Sequence, residues 1–210
     1  MRAFSIRLGL FLLTSFAVVS CTSTTEGVPG ASQPPGGSSS SASTAAPQYS
    51  VEEPLDISQF LPRPCDLLPV ESLNSNGIDP MSGRAFLPED DVVAAESGPY
   101  CSWPDEDLNL SAGIQSGNTE RGIGGLSGLR LSYEQGRYEL WEETSNSGYP
   151  AVYFGVADRR SEGSCQIAVG VSEDMTFTVS ADVYSENPEE ACRVVDEVAA
   201  DVIQNLRGKN

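Results

Sequence analysis

The chain has 210 residues, of which 30 are acidic and 12 basic, giving a net charge of −18, and it contains no histidine. A surface this acidic argues against nucleic acid and against an anionic lipid face as partners. Without histidine there is no Ser-His-Asp triad, no Cys-His dyad and no histidine-bearing zinc site, which excludes most familiar hydrolases.

Arg2 and Arg7 flank the start of an almost unbroken apolar run from Leu8 to Val19, 12 residues long. That falls short of the roughly 20 needed to span a bilayer and suits the apolar part of an export signal. Val18-Val19-Ser20-Cys21 follows directly. It resembles the lipobox of bacterial lipoproteins, where an aliphatic residue, a tolerant position and a small residue precede a cysteine that receives diacylglycerol before cleavage. Residues 1–20 are therefore expected to be a lipoprotein signal peptide. Cys21 is the expected lipidation site, holding the protein to the extracytoplasmic face of the cell membrane. At about 0.8 kcal/mol per buried CH₂, two or three acyl chains anchor firmly where one would not. Cleavage would leave ten basic against 30 acidic side chains, a charge of −20. The arithmetic of thiols agrees: five cysteines leave one odd in an oxidising compartment, whereas lipid on Cys21 leaves an even four.

Residues 21–50 are dominated by Ser, Thr, Gly, Pro, Ala and Gln, a composition with too little to bury. The expectation is a disordered, lipid-anchored spacer that carries the domain about 30 Å from the membrane. Residues 51–210 suffice for a single domain with a real core.

Within it, the segment from Cys65 to Leu73 reads as a short helix in which Pro69 begins a new turn. Cys101 and Trp103 share one face of a strand, and Leu108, Leu110, Ala112 and Ile114 alternate on the next. Leu129, Leu131 and Tyr133 alternate likewise and predict a strand, with the Gly122–Gly128 segment a loop before it. Ala151 to Ala157 predicts another. Cys165, Ile167, Val169 and Val171, then Met175, Phe177, Val179, Ala181 and Val183, predict a hairpin around Ser172-Glu173-Asp174. Asn187-Pro188-Glu189-Glu190 offers a capping box to a final helix, whose apolar residues from Ala191 to Leu206 recur at helical spacing. The fold class is α+β: an antiparallel sheet of about five strands, with a short N-terminal helix and a C-terminal amphipathic helix packed on one face.

Four cysteines allow three pairings. Cys165 lies with the apolar set of its strand and Cys192 borders the apolar stripe of the helix expected on that sheet, which favours Cys165–Cys192 and leaves Cys65–Cys101. Each bridge is expected to contribute about 3 kcal/mol.

Pro64-Cys65-Asp66-Leu67-Leu68, Cys101-Ser102-Trp103 and Gly148-Tyr149-Pro150-Ala151-Val152, with Cys165 in a strand and Cys192 early in the last helix, resemble a known pattern. It is similar to that of the actinobacterial lipoproteins of the domain-of-unknown-function 3558 family. The resemblance spans the whole domain. It implies a cell-envelope lipoprotein of a Gram-positive actinobacterium, and it implies no catalytic residues.

The four domain cysteines contain no C-x-x-C pair, so disulfides are preferred to zinc and no metal is expected. Gly122-Ile123-Gly124-Gly125-Leu126-Ser127-Gly128 lacks both the third glycine of a dinucleotide fingerprint and a P-loop lysine. Glu89-Asp90-Asp91 and Asp105-Glu106-Asp107 read as solvated acidic loops, not as an EF-hand. Trp103 and Trp141 are the candidate ligand-binding residues, with core packing the competing role for each. No catalytic residue and no cofactor is expected. The reading that fits best is a non-enzymatic module binding a small or lipid-like envelope ligand. A protein-interaction or assembly subunit of the envelope is the alternative, and a glycosidase using carboxylates alone is a distant third.

Overall fold

The structure, a computed structural model, describes residues 49–183 and 187–208. The expected signal peptide, Cys21 and nearly all of the spacer lie outside them. Among the described residues no helix is long and apolar enough to cross a membrane.

Seven strands form one antiparallel sheet: β1 (Arg84–Phe86), β2 (Tyr100–Pro104), β3 (Leu108–Ile114), β4 (Leu140–Asn146), β5 (Tyr149–Gly155), β6 (Ser164–Gly170) and β7 (Thr176–Val183). Their order is β1-β2-β3-β7-β6-β5-β4, so the long crossover from β3 to β4 leaves room for the last hairpin to insert beside β3. Five of the expected strands are present as β2, β3, β5, β6 and β7, and the two that were not expected, β1 and β4, are the edges. β1 is three residues long, too short to alternate visibly. β4 reads Leu-Trp-Glu-Glu-Thr-Ser-Asn, polar on both faces as an edge strand must be to discourage pairing with another chain. Ser147 and Gly148 join β4 to β5 with φ of 50° and 90°, the double left-handed turn that matches strand twist.

One expected strand is a helix. Leu129, Leu131 and Tyr133 lie in α4 (Gly125–Glu134), where Leu126 and Leu129 are buried three residues apart while Leu131 is 44% exposed. The period is helical; chance alternation of three residues imitated a strand. The glycine-rich segment before it is no loop between strands but a close seat. A side chain at Gly125 would stand 2.1 Å from the Glu173 carbonyl oxygen, so the bare backbone lets the start of α4 rest on the turn between β6 and β7. The predicted N-terminal helix divides at Pro69 into a 3-10 turn over Pro64–Leu67 and α1 (Val70–Ser75). Two further short helices, α2 (Val92–Ser97) and α3 (Ser116–Glu120), are too short to show a period.

The C-terminal helix, α5 (Glu190–Arg207), buries Ala191, Val194, Val195, Val198, Ala199, Val202, Ile203 and Leu206. It begins later than the expected cap: the Glu190 amide donates to the Asn187 carbonyl, and the Glu190 carboxylate pairs with Arg193. Its apolar stripe meets Cys165, Ile167 and Val169 of β6, Phe177, Val179 and Ala181 of β7, and the inward residues of β2 and β3. Burying eight side chains of this size is the main source of stability on that side, at about 1.5–3 kcal/mol for each fully buried valine, leucine or isoleucine.

The helices do not all lie on one face, as expected, because β5 and β6 are apolar on both. Val152, Phe154 and Ala168 occupy the alternate positions and form a second, smaller core with Leu126, Leu129 and Tyr49. Thus α5 covers one face, and α4 covers the β5–β6 end of the other.

Cys165 pairs with Cys192 as their faces suggested, and Cys65 with Cys101 as the remaining pair. Cys65–Cys101 ties the 3-10 turn to β2, and Cys165–Cys192 ties β6 to the first turn of α5.

Candidate functional site

Where α4 does not reach, the second sheet face carries uncharged residues between Arg84 of β1, opposite Ser102, and Asp182 near the end of β7. The register lines Ser102, Ser111, Ser180 and Gln166 in one row across β2, β3, β7 and β6. The next row is Tyr100, Gly113, Thr178 and Ala168. These are the outward positions of strands whose inward positions fill the α5 core. In a chain with 30 acids, an open sheet face would ordinarily bear charge. Here none of the residues lining the central cavity is charged.

That cavity, about 270 Å³, has Val93 and Ser97 of α2 on its rim and Ser111, Gly113, Gln166, Thr178 and Ser180 on its floor. Its floor is crowded at residue 113: a Cβ there would lie 3.0 Å from Tyr100 Cβ and 3.5 Å from Thr178 Oγ1. The Ser111 and Ser180 hydroxyls share a hydrogen bond of 2.7 Å, and Gln115 Nε2 donates to Thr178 Oγ1 at 3.4 Å. Tyr100 stacks on Phe86 with ring centroids 4.5 Å apart. Burial, helped by the nearby Asp91 carboxylate, raises the Tyr100 phenol above its ordinary value, so the ring is neutral at physiological pH. Ser97 and Gln115 also line a second cavity of about 360 Å³ beside α2, α3 and α4.

Hydroxyls and carboxamides each donate and accept, so this lining matches a ligand that presents both kinds of group at close spacing. It lacks what acid–base or nucleophilic catalysis requires, since no residue lining the central cavity could take a proton from Ser111 or Ser180.

The two tryptophans lie elsewhere. Trp103, 1% exposed, is enclosed in the α5 core and offers no ring face to a ligand. Trp141 stands on the groove's side of the sheet but at its far edge. There Tyr133 stacks on it at 5.3 Å, the Arg130 guanidinium lies 5.7 Å from its ring, and its Nε1 donates to Glu143 at 3.3 Å. The same Glu143 Oε1 accepts from Tyr49 and Arg130, so Trp141 belongs to a cluster that fastens the start of the domain. Burial and the Glu143 carboxylate together push the Tyr49 phenol up to about 12.

The acidic loops serve the backbone. Asp91 caps α2 by accepting from the Val93 and Ala94 amides, both at 2.9 Å, and Asp105 to Asp107 turn the chain between β2 and β3. Among the described residues no three Cys, Asp or Glu converge as a metal would need.

The hydroxyl row escaped the sequence reading, which followed the apolar phase of each strand. Its signal is the other phase: Ser111 and Gly113, Gln166, Thr178 and Ser180 are all uncharged.

A family model described as "Protein of unknown function (DUF3558)" matches residues 16–205. The chain belongs to this family. No curated protein matches this DUF3558 chain, and no solved structure does. Membership in DUF3558 therefore brings no assigned residues, and the groove has to be judged on its own chemistry.

Proposed function

We propose that the chain is a lipid-anchored, extracytoplasmic, non-enzymatic binding module that takes a small polar ligand in the groove over β2, β3, β7 and β6. The observation that carries this reading is the uncharged hydroxyl and carboxamide row on a concave, solvent-open face of an otherwise strongly acidic protein. The polar lining favours a hydroxyl-rich ligand over the lipid-like one. None of the residues lining the central cavity is suited to act as a base toward the groove serines, which favours binding over catalysis.

The anchor rests on the leader's apolar run and on thiol arithmetic. The two disulfides consume Cys65, Cys101, Cys165 and Cys192, which leaves Cys21 for lipid. In this reading the attachment is to the cell membrane of an actinobacterium, with residues 21–50 as leash.

Native mass spectrometry of the full chain purified from its own cells tests the reading. A small polar adduct that dissociates on activation is expected; a bare chain at every purification step overturns it. A second reading, a protein partner, draws on Val92 and Val93, which stand 81% and 54% exposed on α2 beside the groove. It predicts a protein that co-purifies and is released by Val92→Asp.

A further inference from the structure

The cavity beside the hydroxyl groove, unlike the groove's own lining, holds charged side chains. Of the nine arginines among the described residues, Arg63, Arg130, Arg159, Arg160 and Arg193 pair with carboxylates. Arg84 lies over Phe86 and Arg207 over Tyr149. The remaining two, Arg121 and Arg137, both line the cavity of about 360 Å³ that shares Ser97 and Gln115 with the hydroxyl groove. Arg121 donates to the Glu96 carbonyl and to Asn118 Oδ1, each at 2.7 Å, and to no carboxylate. Glu96 is the one acid on that lining, against two guanidinium groups.

Arg84 and Arg207 meet no carboxylate either, but each lies over an aromatic ring; Arg121 and Arg137 are the two that line one cavity with neither kind of partner, which leaves them available to an outside anion. The protein's overall negative charge does not forbid this. At physiological salt its distant acids are screened beyond about 8 Å, and the local balance decides.

Resting on the binding reading above, we infer that the ligand is a polyhydroxylated molecule bearing one acidic group, an acidic sugar in chemical class. Its hydroxyls would lie along Ser111, Ser180 and Gln166, and its carboxylate or phosphate would meet Arg121 and Arg137. Gln115, shared by both cavities, joins the two halves.

Calorimetric titration of the full chain with methyl glucoside, glucuronic acid and glucose 6-phosphate tests the inference. One acidic sugar is expected to bind at least about tenfold more tightly than the neutral one, and which of the two does so tells carboxylate from phosphate. The double variant Arg121→Gln, Arg137→Gln is expected to erase that preference while neutral-sugar affinity stays within about twofold, since the hydroxyl row is untouched. Equal binding of all three sugars, or a preference that survives the double variant, overturns the inference and leaves the binding reading standing. No heat with any of them overturns the inference as well, and the binding reading is then judged by the mass of what co-purifies.

Discussion

Ser111 and Ser180 share a hydrogen bond of 2.7 Å across β3 and β7, each directly opposite the other in the register. Their hydroxyls retain further donor and acceptor capacity toward the groove. Because this face is open to water, replacing both by alanine is expected to cost no more than about 1.5 kcal/mol of stability. Ligand affinity should fall at least about tenfold. Thermal melting alongside ligand titration separates the two effects.

The Tyr49 phenol, held by Glu143 at 2.5 Å, makes the start of the domain sensitive to alkali. Its folded value of about 12 lies above the ordinary 10.0, so its contribution is fully present below pH 10. It is lost as pH rises through 12, because the unfolded chain gives up that proton first. Denaturant melts between pH 9 and 12 should show this loss, and Tyr49→Phe should flatten that part of the profile. An identical profile in the variant would remove Tyr49 from the account.

The Cys165–Cys192 bridge closes a separation of 27 residues and joins the sheet to the helix that forms most of its core. Replacing both cysteines by alanine is expected to cost about 3–4 kcal/mol. That corresponds to a melting temperature lower by about 6–16 °C for a domain of this size. Calorimetric melts of the two chains would read it.

Trp103 and Trp141 should answer differently to a neutral quencher such as acrylamide. Trp103 is sealed, whereas Trp141 retains partial exposure at the sheet edge. Trp141→Phe should leave fluorescence that acrylamide barely touches, while Trp103→Phe should leave fluorescence it quenches readily. Equal quenching of both variants would contradict these placements.

Legibility in the sequence followed burial. Helix α5 was plain because eight apolar residues recur on one side of 18. Strands β3, β6 and β7 were plain because a face buried against α5 forces alternation. Cys165–Cys192 followed from the faces its cysteines occupy, and Cys65–Cys101 followed by elimination. Where burial is slight, the signal fades: β1 has three residues, and β4 carries glutamates outward on an exposed edge. Leu129 to Tyr133 misled because a short helix with one buried leucine pair offers too few turns to display its period. The groove was harder still. Ser111, Ser180 and Gln166 lie far apart in the chain, and only the insertion of the last hairpin beside β3 sets them in one row. Each alone reads as an ordinary outward polar residue.

The most direct test of the central claim compares native mass spectra of the full chain with those of Gly113→Val and Gln166→Leu, purified in parallel from the same cells. Gly113→Val fills the groove where a Cβ would already press on Tyr100, and Gln166→Leu removes a hydrogen-bonding group from its floor. The account predicts a small polar adduct on the unaltered chain, lost from Gly113→Val and depleted in Gln166→Leu, with melting temperatures confirming that each variant folds. An adduct retained in full by both folded variants would contradict it.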